Sequence, residues 1–179
     1  YDILHSAGIK TVHEISRCRN FDEYKTMSEA NFNLVLHQEA RAAAEDFHER
    51  LKIPFIELRR LYQTDKIENQ YQAFGSVLGV TFDTTAYRKA AEQAVENFRK
   101  VCPDASFAVG ECMNGDPFEL ALALLKYGFK VPEIYGTITV ENFVYMKQLA
   151  LLSPTTKVFS NMEPTMIYYE PKESGVHIT

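Results

Sequence analysis

The 179-residue sequence contains no tryptophan, only three cysteines and no long apolar run. A membrane helix needs about 18 or more consecutive apolar residues, and the longest run here, from Leu120 to Leu125, fits a buried helix instead. No block of about five or six like charges occurs, which argues against a charged tail. The net charge of −5 argues against a general nucleic-acid surface, which needs clustered Lys and Arg. We therefore expect a globular protein that binds neither membrane nor nucleic acid.

The three cysteines are too few and too widely spaced for a disulfide framework, and they show no C-x-x-C pair. A reducing, cytoplasmic location is the simplest setting, and we expect no signal peptide. The sequence begins at Tyr1 in what reads as the end of a helix, and it stops within a β-rich segment, 176–179. We expect it to be a piece of a longer protein.

Strand-like and helix-like segments alternate along the chain, which predicts an α/β fold with Rossmann-like parallel sheets and flanking helices. Residues 1–80 are expected to form the end of one Rossmann-like unit and residues 81–179 a second. The predicted strands are 9–15, 32–37, 53–58, 106–109, 130–135, 157–160 and 176–179. The predicted helices are 1–7, 21–28, 39–51, 65–78, 84–101, 139–152 and the segment between Asp116 and Gly128.

Some helix details are specific enough to test. Asp116 is predicted to cap a helix that begins at Pro117, and Glu119 is expected to reach back to the cap. Thr139 is expected to cap the helix that ends near Leu152. Helical spacing predicts an apolar stripe on the helix 84–101, formed by Tyr87, Ala91, Ala94, Val95 and Phe98.

Ligands in open α/β sheets bind beyond the carboxyl ends of the strands, near helix N-termini. This rule selects five segments, 16–19, 37–39, 57–60, 110–114 and 160–163.

Two of the three thiols lie in these segments. Cys112 precedes a helix N-terminus, where a depressed thiol pKa would suit a metal ligand or a nucleophile; the alternative is a buried, inert side chain. Cys18 lies between two arginines, which favours a thiolate, although it could equally be an ordinary loop residue. Cys102 is expected to be structural.

Polar residues complete the predicted site. His37 could donate a proton or bind a metal, or simply cap the helix that follows. Glu111 is predicted to act with it. Arg59 could hold an anionic group, or it could be a solvated loop residue, and Asn114 and Asn161 are predicted to bind a cofactor. Roles for all of them rest on strand-end position and residue type.

Several motifs are missing. The sequence has no G-x-x-x-x-G-K-[ST] or G-x-G-x-x-G nucleotide motif, no G-x-S-x-G elbow and no H-E-x-x-H helix. If this protein catalyses a reduction, the electrons would therefore have to come from outside this chain.

The order of segments resembles the component 1 proteins of the nitrogenase superfamily. Residues 30–35 (A-N-F-N-L-V) match the family's A-x-x-N-L-V strand, Ile53-Pro54 matches the end of its next helix, and 66–78 matches the helix beyond it. The F-A-V-G-E strand that starts at Phe107 and the turn at 160–163 fit the family's next Rossmann-like unit. This resemblance extends from about Leu4 to Pro171.

The family contains the nitrogenase α and β subunits, cofactor-assembly scaffolds and dark-operative protochlorophyllide reductases. The resemblance implies reduction with electrons from a separate ATP-dependent iron–sulfur protein, and pairing with a sister component 1 subunit. It also implies an iron–sulfur cluster or related metallocluster, or a tetrapyrrole, in the full-length protein. From their strand-end position and residue type, Cys112 and Cys18 are the predicted metal ligands.

Two positions depart from the nitrogenase pattern. His37 stands where nitrogenase α subunits typically have Cys, and Ala90 stands where they have the Cys that holds the iron–molybdenum cofactor. A methyl group cannot replace a thiolate ligand, and ligands of the family's other large cluster are expected upstream of Tyr1. The resemblance therefore implies a nitrogenase-like oxidoreductase that is not itself a nitrogenase. The alternatives are a non-catalytic scaffold or binding protein for metallocluster or tetrapyrrole assembly, and a stand-alone small-molecule binding module.

Overall fold

The computed structural model describes residues 1–110, 115–160, 162–170 and 175–178. Helices alternate with parallel strands, which confirms the predicted α/β fold. The chain divides into two compact units. Unit 1 comprises Tyr1–Arg60 and Glu68–Thr84, and unit 2 comprises Leu61–Ile67 and Thr85–Thr179. The division into two Rossmann-like domains after residue 80 stays a prediction.

Unit 1 is built around two short parallel strands. Its helices and strands are α1 (Asp2–Ser6), α2 (Phe21–Lys25), β1 (Asn33–Val35), α3 (Arg41–Leu51), β2 (Phe55–Glu57) and most of α4 (Thr64–Leu78). Short 3₁₀ helices occupy Ile15–Arg17, Thr26–Glu29 and Gln38–Ala40.

The strands β1 and β2 pair in parallel, with α3 as the crossover between them. Pro54, which has no N–H, lies just before β2, and its carbonyl accepts from the Asn33 N–H at 2.9 Å. The proline therefore costs no hydrogen bond between the two strands. Beneath the sheet, Leu58, Phe74 and Phe82 form a small buried cluster.

The predicted strand 9–15 was wrong. Those residues form no strand in the described chain, and only the 3₁₀ helix Ile15–Arg17 begins there. Alternating apolar residues favour an extended backbone, but a strand also needs a neighbouring strand to complete its hydrogen bonds. The described ladder of β1 is formed with β2 alone, so this segment finds no partner.

Unit 2 contains a four-stranded parallel sheet with the order β5-β4-β3-β6. The elements are α5 (Thr85–Val101), β3 (Ser106–Val109), α6 (Pro117–Lys126), β4 (Lys130–Tyr135), α7 (Phe143–Leu152), β5 (Lys157–Phe159), the 3₁₀ helix Pro164–Tyr168 and β6 (Val176–Ile178). The strands predicted at 106–109 and 130–135 are confirmed with those bounds.

The core of unit 2 lies between this sheet and α6. The first seven residues of α6, Pro117–Ala123, are all buried, and Phe118 and Leu122 pack in one cluster with Val109 and Ile134. Gly136 follows β4 where space is short, because a Cβ there would come within 2.9 Å of Pro117 Cγ. The apolar run seen in the sequence is therefore the centre of this core.

The start of α6 confirms one prediction and corrects another. The Asp116 carboxylate accepts from the N–H groups of Phe118 at 2.9 Å and Glu119 at 3.1 Å, as a helix cap should. Glu119 does not reach back to the cap. Both of its oxygens are used elsewhere, since Oε2 accepts from the backbone N–H of Tyr62 at 2.8 Å and Oε1 from the Gln63 side chain at 2.9 Å.

The predicted cap at Thr139 was wrong, and the predicted stripe of α5 is only partly covered, by contacts of Val95 and Phe98. α7 begins at Phe143 rather than after Thr139, whose N–H donates to the Asn142 side chain at 2.9 Å in a turn that delays the helix. No residue of α5 is buried, and Tyr87 is 57% exposed. Phe98 does contact Phe129, with ring centroids 5.6 Å apart, but periodicity identifies an apolar stripe without showing what covers it.

None of the described helices is both long enough and apolar enough to cross a membrane.

Candidate functional site

The rim of the β1–β2 sheet brings two predicted site residues to one edge. Val35 pairs with Glu57 in the last register position of the two strands. The ladder continues past it, since the Leu58 N–H donates to the Val35 carbonyl at 2.9 Å. His37 and Arg59 each follow two residues after that pair, and parallel strands present their carboxyl ends on the same side.

The Arg59 side chain is held by a neighbouring carboxylate. Its Nε lies 3.2 Å from Glu57 Oε1, and Arg41 Nη1 lies 3.8 Å from Glu57 Oε2. Gln70 of α4 fixes the Arg59 backbone through two hydrogen bonds of 2.9 Å, one to the N–H and one to the carbonyl. Ion pairs this exposed contribute only about 0–1 kcal/mol. An anionic ligand could therefore replace Glu57 on Arg59 at little cost.

His37 is exposed at the same rim. Its carbonyl accepts from the Ala40 N–H at 3.0 Å, but its side chain makes no capping hydrogen bond to the 3₁₀ helix that follows. His37 therefore occupies the N-cap position of this 3₁₀ helix but contributes only its backbone carbonyl there. Its role as proton donor or metal ligand stays a prediction.

Cys18 lies in unit 1 beside a group of side chains centred on Glu14. Its Sγ contacts the Glu14 carbonyl at 3.8 Å. Arg17 Nε lies 2.8 Å from Glu14 Oε2, and hydrogen bonds from Ser16 and then Tyr1 lower the pKa of that carboxyl. Of the two arginines that flank Cys18 in the sequence, Arg17 is thus paired with Glu14.

The described residues do not by themselves fit an iron–sulfur cluster. Within 1–110, 115–160, 162–170 and 175–178, no three His, Cys, Asp or Glu side chains gather as metal ligands, whereas such clusters are typically held by several Cys thiolates. Four predicted site residues lie outside the described residues: Glu111, Cys112, Asn114 and Asn161. Their roles, and the metal role of Cys18, stay predictions.

The order of the unit 2 strands creates a topological switch point beside Gly110. The chain moves from β3 to β4 and β5 on one side, and β6 pairs with β3 on the other. In sheets of this kind, the crevice at such a reversal is the usual ligand site. Gly110, whose N–H donates to the Ile178 carbonyl at 2.6 Å, lies at this point, and residues 111–114 of the predicted segment lie outside the described residues.

Two buried carboxylates were not identified from the sequence. Glu119 is fully buried and accepts from Tyr62 N–H and from the Gln63 side chain at 2.9 Å, and Lys126 in turn donates to Gln63. Burial raises the pKa of Glu119, and these hydrogen bonds only partly oppose it. Glu133 in β4 is also buried. The available signal was an acidic residue inside an otherwise apolar helix or strand, where such residues are rare unless paired.

Comparison with known proteins identifies the family. A sequence model of the family "Nitrogenase component 1 type Oxidoreductase" matches residues 1–168. The chain belongs to this family. The resemblance inferred from the order of segments is therefore confirmed.

A solved structure supports the same fold. The structure described as "Nitrogenase Cp1 at pH 6.5" covers 91% of this chain with a TM-score of 0.57 and 15% sequence identity. At that identity the likeness concerns the fold alone. This chain spans 38% of that nitrogenase chain. No curated protein matches the sequence.

Proposed function

We propose that this chain is part of a component 1 subunit of a nitrogenase-like oxidoreductase. The subunit reduces an unidentified substrate with electrons from a separate ATP-dependent iron–sulfur protein, and it pairs with a sister component 1 subunit in the cytoplasm. The observation that carries the proposal is the family match over residues 1–168, which runs through both units. The parallel strands, with polar residues beyond their carboxyl ends, support it.

The residues proposed for the site have distinct tasks. Cys112 and Cys18 bind metal in the full-length protein, and His37 and Glu111 handle protons. Arg59 holds an anionic group by exchanging its weak pairing with Glu57. Asn114 and Asn161 bind the cofactor.

Ala90 sets a limit on the cofactor. It occupies a position in α5 where, by resemblance, nitrogenase α subunits carry a thiolate ligand. A methyl group offers no electron pair to a metal. We infer that any metallocluster in the full-length protein is held in another way, and that the substrate differs from that of a nitrogenase.

The test uses the full-length protein purified without oxygen. The proposal expects bound iron and sulfide, a co-purifying sister chain, and repeated consumption of reductant once the ATP-dependent partner is added. A protein that binds a metallocluster or tetrapyrrole and releases it once, without turnover, would instead be a scaffold. A colourless, iron-free protein without a partner would contradict both and would favour a small-molecule binding module.

Cysteine variants test the ligand assignment separately. Cys18→Ser and Cys112→Ser should each lower the iron content. Cys102→Ser is the matched control, since this half-buried thiol follows α5 and its N–H donates to the Phe98 carbonyl at 2.8 Å. Unchanged iron content and activity in both test variants would refute the assignment.

A further inference from the structure

A cavity of about 410 Å³ opens in unit 2 beyond the carboxyl ends of β4 and β5. Gly136, which follows β4, and Phe159, the last residue of β5, line it, and the 3₁₀ helix Pro164–Tyr168 contributes further side chains. Its volume falls within the range of small-molecule sites, about 300–1,000 Å³. The cavity is thus large enough for a small organic ligand.

The charge around the cavity is negative. Glu163 is part of its lining, and no Lys, Arg or His of the described residues lines it. Thr165 donates its hydroxyl to Glu163 Oε1 at 3.3 Å, a neutral contact that leaves the negative charge in place. An anionic ligand would find no positive partner here.

A second carboxylate lies one hydrogen bond behind the wall. Tyr169 lines the cavity and donates its hydroxyl to Glu133 Oε2 at 2.7 Å, and Tyr135 donates to the same oxygen at 2.9 Å. Glu133 is only 1% exposed, and its other oxygen, Oε1, has no hydrogen-bond partner among the described residues. A buried acceptor left without a donor is costly, by about 1–3 kcal/mol, and a native structure needs a reason for it.

Aromatic rings form much of the wall. Phe159 and Tyr169 lie with their ring centroids 4.8 Å apart, and Tyr135 stacks on Phe159 at 5.6 Å. Burial raises the pKa of Tyr135, so its hydroxyl stays a neutral donor to Glu133. The faces of such rings carry partial negative charge and attract cations, most strongly where water is excluded.

We propose that this cavity binds a small organic cation, in which an ammonium group is joined to a flat apolar body. The apolar body packs on the rings of Phe159 and Tyr169. The ammonium group is attracted by Glu163 at the wall and by the Tyr169–Glu133 pair. This site uses no electron transfer, so it is independent of the redox function proposed above.

Three probes of similar shape and different charge test the ligand class. Benzylamine is protonated at neutral pH, benzyl alcohol is neutral and benzoate is negative. Isothermal titration calorimetry with the full-length protein should show binding of benzylamine, binding of benzyl alcohol that is about tenfold weaker or more, and no binding of benzoate. Benzoate or benzyl alcohol binding as tightly as benzylamine, or no binding of benzylamine, would overturn the proposal.

Variants then locate the site. Tyr169→Phe and Glu133→Gln should each weaken benzylamine binding about tenfold, since each removes part of a charge-assisted pair. Glu163→Gln should weaken it a few-fold. Tyr168→Phe is the matched control, because Tyr168 also lines the cavity but does not bond to Glu133, and its affinity should change less than about twofold.

Tyr169 and Glu163 are less buried than Glu133 and keep the test decisive if Glu133→Gln fails to fold. In that case Tyr169→Phe and Glu163→Gln decide the result. Unchanged benzylamine affinity in both would place any binding elsewhere on the protein and would overturn the proposal.

Discussion

The two units bury their apolar residues to different extents. Among the described residues, the core cluster of unit 2 includes Phe118, Leu122 and Ile134 within a set of ten buried side chains, whereas that of unit 1 has three. The sheets explain the difference, since a four-stranded sheet offers a broad face to α6 and a two-stranded sheet is marginal without other support. Unit 2 is therefore expected to carry most of the stability.

The two units also place their carboxylates differently. Unit 2 buries Glu119 and Glu133, with hydrogen bonds to Tyr, Gln and backbone groups. The carboxylates of unit 1 form exposed pairs instead, such as Arg50 with Asp46 at 3.2 Å. Exposed pairs are weak and screened by salt, whereas buried carboxylates depend strongly on their partners. The rim of unit 1 can therefore exchange its partners easily, and the buried network of unit 2 cannot.

Core truncations give the largest expected contrast between the units. Phe118→Ala should destabilise unit 2 by about 4–5 kcal/mol, because Phe118 is fully buried in the core. The surrounding side chains cannot close the space left by the missing ring. Phe74→Ala, at 2% exposure, should cost unit 1 about 3 kcal/mol, because its smaller cluster can close in more easily. Native-state hydrogen exchange reports the opening of each unit separately.

The control for these truncations is Phe143→Ala in α7, where the ring is 51% exposed. It should change the free energy of unfolding by less than about 1 kcal/mol. A larger loss from Phe74→Ala than from Phe118→Ala would reverse the proposed ranking of the two cores.

Helix caps provide a smaller contrast. Asp116→Ala should cost about 1–2 kcal/mol, since this carboxylate accepts two backbone N–H groups at the start of a buried helix. Asn20→Ala should cost about 0.5 kcal/mol, since Asn20 accepts only the Glu23 N–H at 2.9 Å on the exposed five-residue helix α2. Thermal unfolding measures both.

The control for the caps is Asp116→Asn, which keeps an acceptor oxygen and should recover most of the loss. If it were as damaging as Asp116→Ala, the negative charge would matter more than the hydrogen bonds. If Asp116→Ala and Asn20→Ala lowered the free energy of unfolding equally, the caps of the two units would not differ in strength.

Local signals predicted much of the fold. Asp116 and Pro117 mark the start of α6 by cap chemistry, and Gly128 marks its end with φ +85°. The strands β3 and β4 were predicted with the bounds they have in the structure. The failures concern partners rather than propensity. The segment 9–15 has the pattern of a strand but finds no neighbour. The stripe of α5 is covered only in part, since Tyr87 is exposed while Val95 packs against the core of unit 2.

The candidate site was less predictable for a similar reason. Strand-end position brought His37 and Arg59 to one edge, because parallel register alone decides that. The pairing of Arg59 with Glu57, two residues earlier, depends on the conformations of the two side chains, which cannot be predicted from the sequence. Likewise Glu119 could have capped its own helix, and only the tertiary structure supplies Tyr62 and Gln63 as its donors.

The two units should also differ in how their stability depends on pH. We expect this effect to be smaller than those of the core and cap variants. Burial raises the pKa of Glu119 in unit 2 above its ordinary value of 4.5, so its contribution is fully present below that pH and is lost as the pH rises through the raised pKa. Hydrogen bonds lower the pKa of Glu14 in unit 1, so its contribution is present above pH 4.5 and is lost as the pH falls through the lowered pKa.

Glutamine variants isolate the two contributions, because Gln does not titrate. The free energy of unfolding of the wild type minus that of Glu119→Gln should fall as the pH rises from below 4.5, and the same difference for Glu14→Gln should rise toward pH 4.5 from below. Urea unfolding at a series of pH values measures both differences. Slopes of the same sign would mean that burial in unit 2 and surface pairing in unit 1 do not act oppositely on their carboxylates, and the electrostatic distinction between the units would fail.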